Sequence, residues 1–473
     1  MARINTNVSA LTAQRNLNRA YNQLNTTMEH LSTGLRISRG KDDPAGLIVS
    51  ERLRSEISAV GQAVSNTQRA KLIVSTAEGA LDEVSSLLKD IQAKIVEAAN
   101  RGAFSDEEIE ANQLQIDSAI DSVTRIANTT TFAGRKLLDG SLAYETTGVD
   151  LAHVRGYQIH AAQFGTRDSI AVSVEVLSAA QQAELNFPYA ALSNSDDVTI
   201  ELRGTRGVTT LTFASNATAS QVIEAVNLVA AATGIEATSC ATSGVQLYSR
   251  DYGSREFVKV RILNEGQEFM RQNDAVEDAG ADARATINGA VARADGNHLT
   301  MKNASVDLEL DVLAAWTSQT SFSITGGGAL FQIGPQVNTN QQTNMAISSV
   351  HASQLGSTEQ GYLSQIKTGG EYALTTTNPQ YDQASRIVQM GIDQISMLRG
   401  RLGSYERNTL DTNMNQLSIT SENLMSAESS IRDADFAEET SRLARDQILV
   451  NAGTTVLTLA NQAQQSVLRL LGG

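Results

Sequence analysis

The 473-residue chain has one cysteine, Cys240, only four prolines and 4% aromatic residues. A single cysteine cannot build an intrachain disulfide or a thiolate metal cluster, so Cys240 reads as a small half-buried residue. Sparse proline permits long uninterrupted helices, and sparse aromatics argue against a densely aromatic core. Basic charge is short as well: 37 Lys and Arg stand against 52 Asp and Glu, a net charge of -15. A nucleic-acid groove or an anionic membrane surface needs a basic face, so neither is expected as a partner. No window approaches the ~18 consecutive apolar residues of a membrane span. The opening Met1-Ala2-Arg3-Ile4-Asn5-Thr6-Asn7 has no apolar leader segment. Composition alone therefore predicts a cytoplasmic protein.

Catalytic patterns are missing too. The five histidines, His30, His153, His160, His298 and His351, include no His-Glu-x-x-His pair that would bring two imidazoles together one helical turn apart. Gly34 to Gly40-Lys41 is one residue too long for a phosphate loop, and Asp42 stands where a magnesium-binding Ser or Thr belongs. Gly326-Gly327-Gly328 lacks dinucleotide-fold spacing and reads as a flexible turn. The acidic pairs Asp196-Asp197 and Glu438-Glu439 read as solvated faces. No catalytic constellation, metal or cofactor is expected.

What is present is helical seam. Leu17, Tyr21, Leu24, Met28, Leu31 and Leu35 recur alternately four and three residues apart, with polar residues between them. That spacing belongs to a helix laying one narrow stripe on another helix. An isolated helix is marginal in water, so this one needs a partner. The best candidate lies at the far end of the chain: Leu449, Val456, Leu459, Ala463, Val467 and Leu470. The two ends are expected to return to one another and loop out what lies between.

Between the seams, Asp43-Pro44 is a cap-plus-proline helix start. The three/four spacing then continues from Leu53 to Ile95. A helix over 45–99 would be ~80 Å long at 1.5 Å per residue. Ser105 and Glu108 form a capping box for a second helix that runs back along it. From about 143 to 375 the grammar changes to alternating strands such as Ile170 to Val176, Val198 to Leu202, Thr209 to Phe213, Phe257 to Leu263 and Val306 to Leu310. Asn288-Gly289 is the strongest hairpin signal, and one helix is expected from Ser220 to Ala232. Helix resumes at Asn378-Pro379. The fold class predicted is α+β: a long antiparallel helical hairpin or coiled-coil bundle made by the chain ends, with a β-rich outer domain inserted.

Several motifs at the two ends resemble the bacterial flagellins. At the front these are Ile4-Asn5-Thr6-Asn7, Leu31-Ser32-Thr33-Gly34-Leu35-Arg36-Ile37 and Lys41-Asp42-Asp43-Pro44-Ala45-Gly46. At the back they are Leu402-Gly403, Ile431-Arg432-Asp433-Ala434-Asp435-Phe436-Ala437-Glu438-Glu439, Gln447-Ile448-Leu449 and Val467-Leu468-Arg469-Leu470-Leu471. The resemblance implies a filament subunit, a homo-oligomer exported through the flagellar type III apparatus with an uncleaved N-terminus. That replaces the cytoplasmic expectation with an extracellular flagellum. It implies a terminal coiled-coil core (1–42 and 433–473), an outer-tube helical region (43–176 and 330–432) and a surface β domain (177–329). Lys41, Asp42, Asp43, Asp433 and Asp435 then form the charged connector between core and outer tube. An export chaperone on the C-terminal helix, a filament cap and hook-filament junction proteins are the implied partners. A junction protein, or a subunit whose outer domain is an adhesive or glycan-carrying module, are the alternatives. One departure stands out. Where flagellins sensed by the Toll-like innate receptor carry Gln-Arg-Val-Arg-Glu-Leu, this chain has Lys89-Asp90-Ile91-Gln92-Ala93-Lys94.

Overall fold

The computed structural model describes residues 7–164, 167–187, 197–215, 217–239, 244–263, 276–303, 305–358, 360–377 and 379–471. Ile4, Asn5, Thr6, Asp196, Cys240 and Asn378 lie outside the described residues. The helices are α1 (Val8–Thr33), α2 (Pro44–Ala99), α3 (Asp106–Thr129), α4 (Ala219–Leu228), α5 (Ala230–Thr233), α6 (Tyr381–Tyr405), α7 (Thr412–Arg432) and α8 (Phe436–Leu471), with the strands lying between α3 and α6. The α+β class is as expected. Among the described residues no helix is long and apolar enough to cross a membrane.

Local chemistry accounts for the helix ends. Asp43 Oδ1 accepts from the Gly46 amide at 2.9 Å, so the carboxylate caps α2 just ahead of Pro44. A Cβ at Gly46 would meet Asp43 Oδ2 at 2.5 Å and Ile37 Cδ1 at 2.7 Å, so a larger residue would have to push the capping carboxylate aside. Ser105 and Glu108 complete their capping box on α3. Two expectations need correction. The helix expected at Asn378-Pro379 begins at Tyr381, after the proline has set the approach. The segment expected as one helix from Ser220 to Ala232 is broken at Val229 into α4 and α5.

The chain divides into two compact units, one of Met1–Arg69, Gln332–Val337 and Asn408–Gly473, the other of Ala70–Phe331 and Asn338–Arg407. In the first, α1 packs on α8, and Val60 and Ala63 of α2 meet Leu417 of α7, with Val64 and Leu424 alongside. Asn413 of α7 bridges the Thr67 hydroxyl at 3.2 Å and the Ile333 carbonyl at 2.8 Å.

In the second unit, the remainder of α2 is buried along Leu81, Leu88, Ile91 and Ile95, as are Ile116 and Ile120 of α3. Gly391 lets α6 approach Leu88, whose methyls lie 3.7 and 3.8 Å from where a Cβ would sit. Two β cores follow. One lies under a five-stranded sheet, in the order Ala290–Val291, Arg284–Ile287, Ile170–Ser178, Gln319–Gly327 and Tyr144–Thr147. It also takes in a four-stranded sheet of Arg293–Asp295, His298–Lys302, Val306–Val312 and Val154–Ala162. The other surrounds Phe187, Ile200, Leu247 and Val258, covered by α4 through Val222 and Val226. The first core contains Tyr144, Val172, Ala285 and Phe322 together, so the boundaries drawn at 176/177 and 329/330 fall inside or beside its strands.

Asn288-Gly289 makes the expected hairpin turn: φ is 51° and 77°, and Ile287 pairs with Ala290. The Gly326-Gly327-Gly328 run is not a flexible turn. Gly326 and Gly327 pair with Glu145 and Tyr144 across a register shift, and a Cβ on Gly327 would sit 2.2 Å from the Ala143 carbonyl oxygen. Close backbone approach, rather than flexibility, is why glycine stands there.

Candidate assembly interface

The two chain ends meet as α1 and α8. Asn7 Oδ1 caps α1 by accepting from the Ala10 amide at 2.9 Å. Gly34, with φ 71°, closes the helix through its N–H to the His30 carbonyl at 2.8 Å. Asp435 Oδ1 opens α8 by accepting from the amides of Ala437 (2.8 Å) and Glu438 (3.2 Å). The pairing is antiparallel, from Asn7 Nδ2 on the Ala460 carbonyl at 3.0 Å to His30 beside Glu439 at 3.2 Å.

The apolar seam between them is Leu17, Ala20 and Val450, flanked by Leu24 and Leu457. Gly453 lies under Leu17, where a Cβ would come within 3.1 Å of Leu17 Cδ1. Of the expected α1 stripe, Leu17 and Leu24 lie in the seam, but the rest of the stripe does not. Tyr21 and Met28 remain 44% and 53% exposed, while Ala13, Ala20 and Thr27 are buried. On α8 the expected residues Leu449, Val456 and Leu459 also face away from α1, with Leu459 65% exposed. Ala20 and Gly453 let the two backbones approach around Leu17 and Val450, whereas Tyr21, Met28, Leu449, Val456 and Leu459 stay outside the contact. Leu31 is half-buried, Ala463 is exposed, and the side chains of Val467 and Leu470 lie outside the described residues. Leu35 is not helical: it lies past the end of α1 and pairs with Asp433.

Sequence reasoning missed the polar members of this interface. Asp446 Oδ2 accepts from the Thr27 hydroxyl at 3.1 Å, and Asp446 and Glu439 are only 1% and 3% exposed. Glu439 is also reached by Arg442 at 3.1 Å. Glu439, Asp446, Gly453 and Ala460 lie seven residues apart, a heptad that a search for apolar residues alone passes over.

The charged stretches after α1 and before α8 hold each other by backbone. Arg36 N–H donates to the Arg432 carbonyl at 2.7 Å and Ala434 N–H to the Gly34 carbonyl at 3.0 Å. Asp42 Oδ2 accepts from the Arg39 amide (2.9 Å) and from the Ser38 amide and hydroxyl (3.3 and 3.2 Å). These contacts, Arg39 foremost, hold its carboxyl below the usual range. Asp433 accepts from the Ser429 hydroxyl at 2.6 Å, and Asp43 and Asp435 are the helix caps already described. Lys41 is exposed. The carboxylates thus order local backbone, and Glu29 joins them by accepting from Arg39 at 2.8 Å and from Ser38 Oγ at 3.1 Å.

On α2, Lys89, Asp90 and Ala93 are exposed, whereas Gln92 donates to Ser385 Oγ of α6 at 2.7 Å.

Chain ends folded on each other by a helical seam, with β cores inserted between them, define a helical-ended structural subunit. The comparisons give that class a family. Residues 4–143 match the bacterial flagellin N-terminal helical region, and residues 386–471 match the bacterial flagellin C-terminal helical region. The B-type flagellin of Pseudomonas aeruginosa is 30% identical over 99% of both chains. Flagellin A of Helicobacter pylori is 27% identical over 99% of both. Among solved structures, FliC from Burkholderia pseudomallei aligns at 16% identity with a TM-score of 0.23, covering 72% of this chain and 98% of that one. The chain belongs to the bacterial flagellins. It is a structural subunit of the extracellular flagellar filament, as the terminal motifs implied.

Proposed function

We propose that subunits join through the apolar stripes that α1 and α8 leave exposed: Tyr21 and Met28 on one helix, Leu449, Val456 and Leu459 on the other. The observation that carries this reading is that the two helices meet through a thin seam, Leu17, Ala20 and Val450 with Leu24 and Leu457 beside it, yet hold Tyr21, Met28, Leu449, Val456 and Leu459 exposed. A pair with so little apolar core is marginal alone. The terminal segments therefore pass through export unfolded and gain their stability when neighbouring subunits cover the stripes. Contacts of this heterologous kind do not close, so they propagate a helix. In this reading, 1–42 and 433–473 form the filament core, 43–176 and 330–432 the surrounding tube, and 177–329 the exposed surface, with the first β core shared between the last two. An export chaperone takes the C-terminal helix, cap and junction proteins meet the filament ends, and the subunit has no catalytic role.

Seeded elongation tests the reading. Full-length protein and a form lacking residues 1–36 and 440–473 are each added to short filament fragments and followed by sedimentation and electron microscopy. Only the full-length chain is expected to elongate the seeds; equal elongation by both would place the subunit contacts elsewhere.

The receptor motif's departure carries a second expectation. With Lys89, Asp90, Gln92 and Ala93 in place of the arginine-rich pattern, these positions themselves supply no forked guanidinium. Purified monomer is expected to give a weak or absent response in a Toll-like receptor reporter assay, and a potent response would overturn it.

A further inference from the structure

Within the second unit, the four-stranded sheet ending in Val154–Ala162 faces α6 across a cleft of about 730 Å³. That size lies within the range of small-molecule sites. Its wall carries charge of both signs: three guanidiniums (Arg155, Arg250 and Arg401) and five carboxylates, Glu309 and Asp311 among them. An anion would meet the carboxylates and a cation the guanidiniums. Among the described residues, no three His, Cys, Asp or Glu side chains are placed to hold a metal ion.

Internal pairing uses up much of this charge. Arg401 Nη2 donates to Glu309 Oε1. Glu309 Oε2 lies 3.4 Å from His160 Nε2 and 3.9 Å from His298 Nε2, and His298 Nδ1 is bonded to Asp311 at 2.6 Å. Three polar atoms on the wall stay buried without a hydrogen-bond partner: the donor Arg401 Nη1, the acceptor Asn297 Oδ1, and His160 Nε2, which faces Glu309 without a hydrogen bond. Buried polar atoms normally find partners, so a donor and an acceptor orphaned on the wall of one cleft call for a group that can serve both. Hydroxyls do so. Tyr157, Tyr252 and Tyr362 add aromatic surface to the lining, against which the C–H face of a sugar ring packs.

We propose that this cleft binds a neutral polyhydroxylated ligand, an oligosaccharide, whose hydroxyls bond Arg401 and Asn297. The test is saturation-transfer NMR on the unassembled full-length chain with maltotriose, triacetylchitotriose and, as the charged comparison, sialyllactose. Using unassembled protein keeps the outcome independent of whether the terminal stripes drive assembly. A neutral probe is expected to give signal, and Asn297→Ala to weaken its binding about tenfold, the equivalent of one lost hydrogen bond. The Asn297 side-chain oxygen bonds nothing in the fold, so the variant should melt with the parent. Arg401→Met should reduce binding further. No signal from either neutral probe, signal from sialyllactose alone, or equal binding by Asn297→Ala and parent would each overturn the proposal.

Discussion

Thr27→Val is expected to weaken the α1–α8 pair by about 2–3 kcal/mol, although it exchanges only a hydroxyl for a methyl. The Thr27 hydroxyl donates to Asp446 Oδ2 at 3.1 Å, and Asp446 is almost wholly buried. Arg445 reaches only the other carboxylate oxygen, Oδ1, at 3.4 Å. Without Thr27, Oδ2 keeps its desolvation and loses its bond. Leaving a buried charge short of partners costs more than removing the pair. The double variant Thr27→Val with Asp446→Leu should therefore recover most of the loss. The measurement is thermal melting of assembled filaments followed by circular dichroism. A single variant as stable as the parent would show that Asp446 is hydrated in the filament. The same pair illustrates what polar residues do in a helical seam: they cost stability but admit one register.

The second large effect separates the two faces of α8. Leu459→Asp is expected to leave the α1–α8 contact intact, because Leu459 points away from it. It should nonetheless raise the critical concentration for seeded elongation about a hundredfold, corresponding to ~3 kcal/mol for a carboxylate forced against a neighbour's apolar surface. Leu457→Ala should act in the opposite way. Leu457 packs on the Leu17–Ala20–Val450 seam, so its loss should lower the melting temperature of assembled filaments. If Leu459→Asp elongates seeds at the parental concentration, the exposed stripe is not the subunit contact.

The length of α2, its Asp43-Pro44 start, the capping box on α3 and the Asn288-Gly289 turn were all legible in the chain, because each is fixed by residues within a few positions of one another. Strand placement was readable for the same reason: Val198–Gly204 and Val306–Val312 alternate buried and accessible positions as their sequences do. What differed was the face of α8, and on α1 the place of Tyr21 and Met28. On α8, spacing picked out Leu449, Val456 and Leu459, whereas Val450, Gly453 and Leu457 are the residues that meet α1. Choosing between them depends on which stripe the opposing helix can approach, a property of two segments more than four hundred residues apart.

By itself, then, the sequence determined that this protein would be made of long helices at both ends with strands between, and the motifs there were specific enough to give its family. Periodicity and capping are local, and a filament subunit declares itself in them. The tertiary structure alone decided which face of each terminal helix turns inward, that Thr27, Glu439 and Asp446 sit buried between α1 and α8, and that His160, His298, Glu309 and Arg401 converge on one cleft. Those groupings join residues brought together only by strand register and helix packing, which no window of the chain contains.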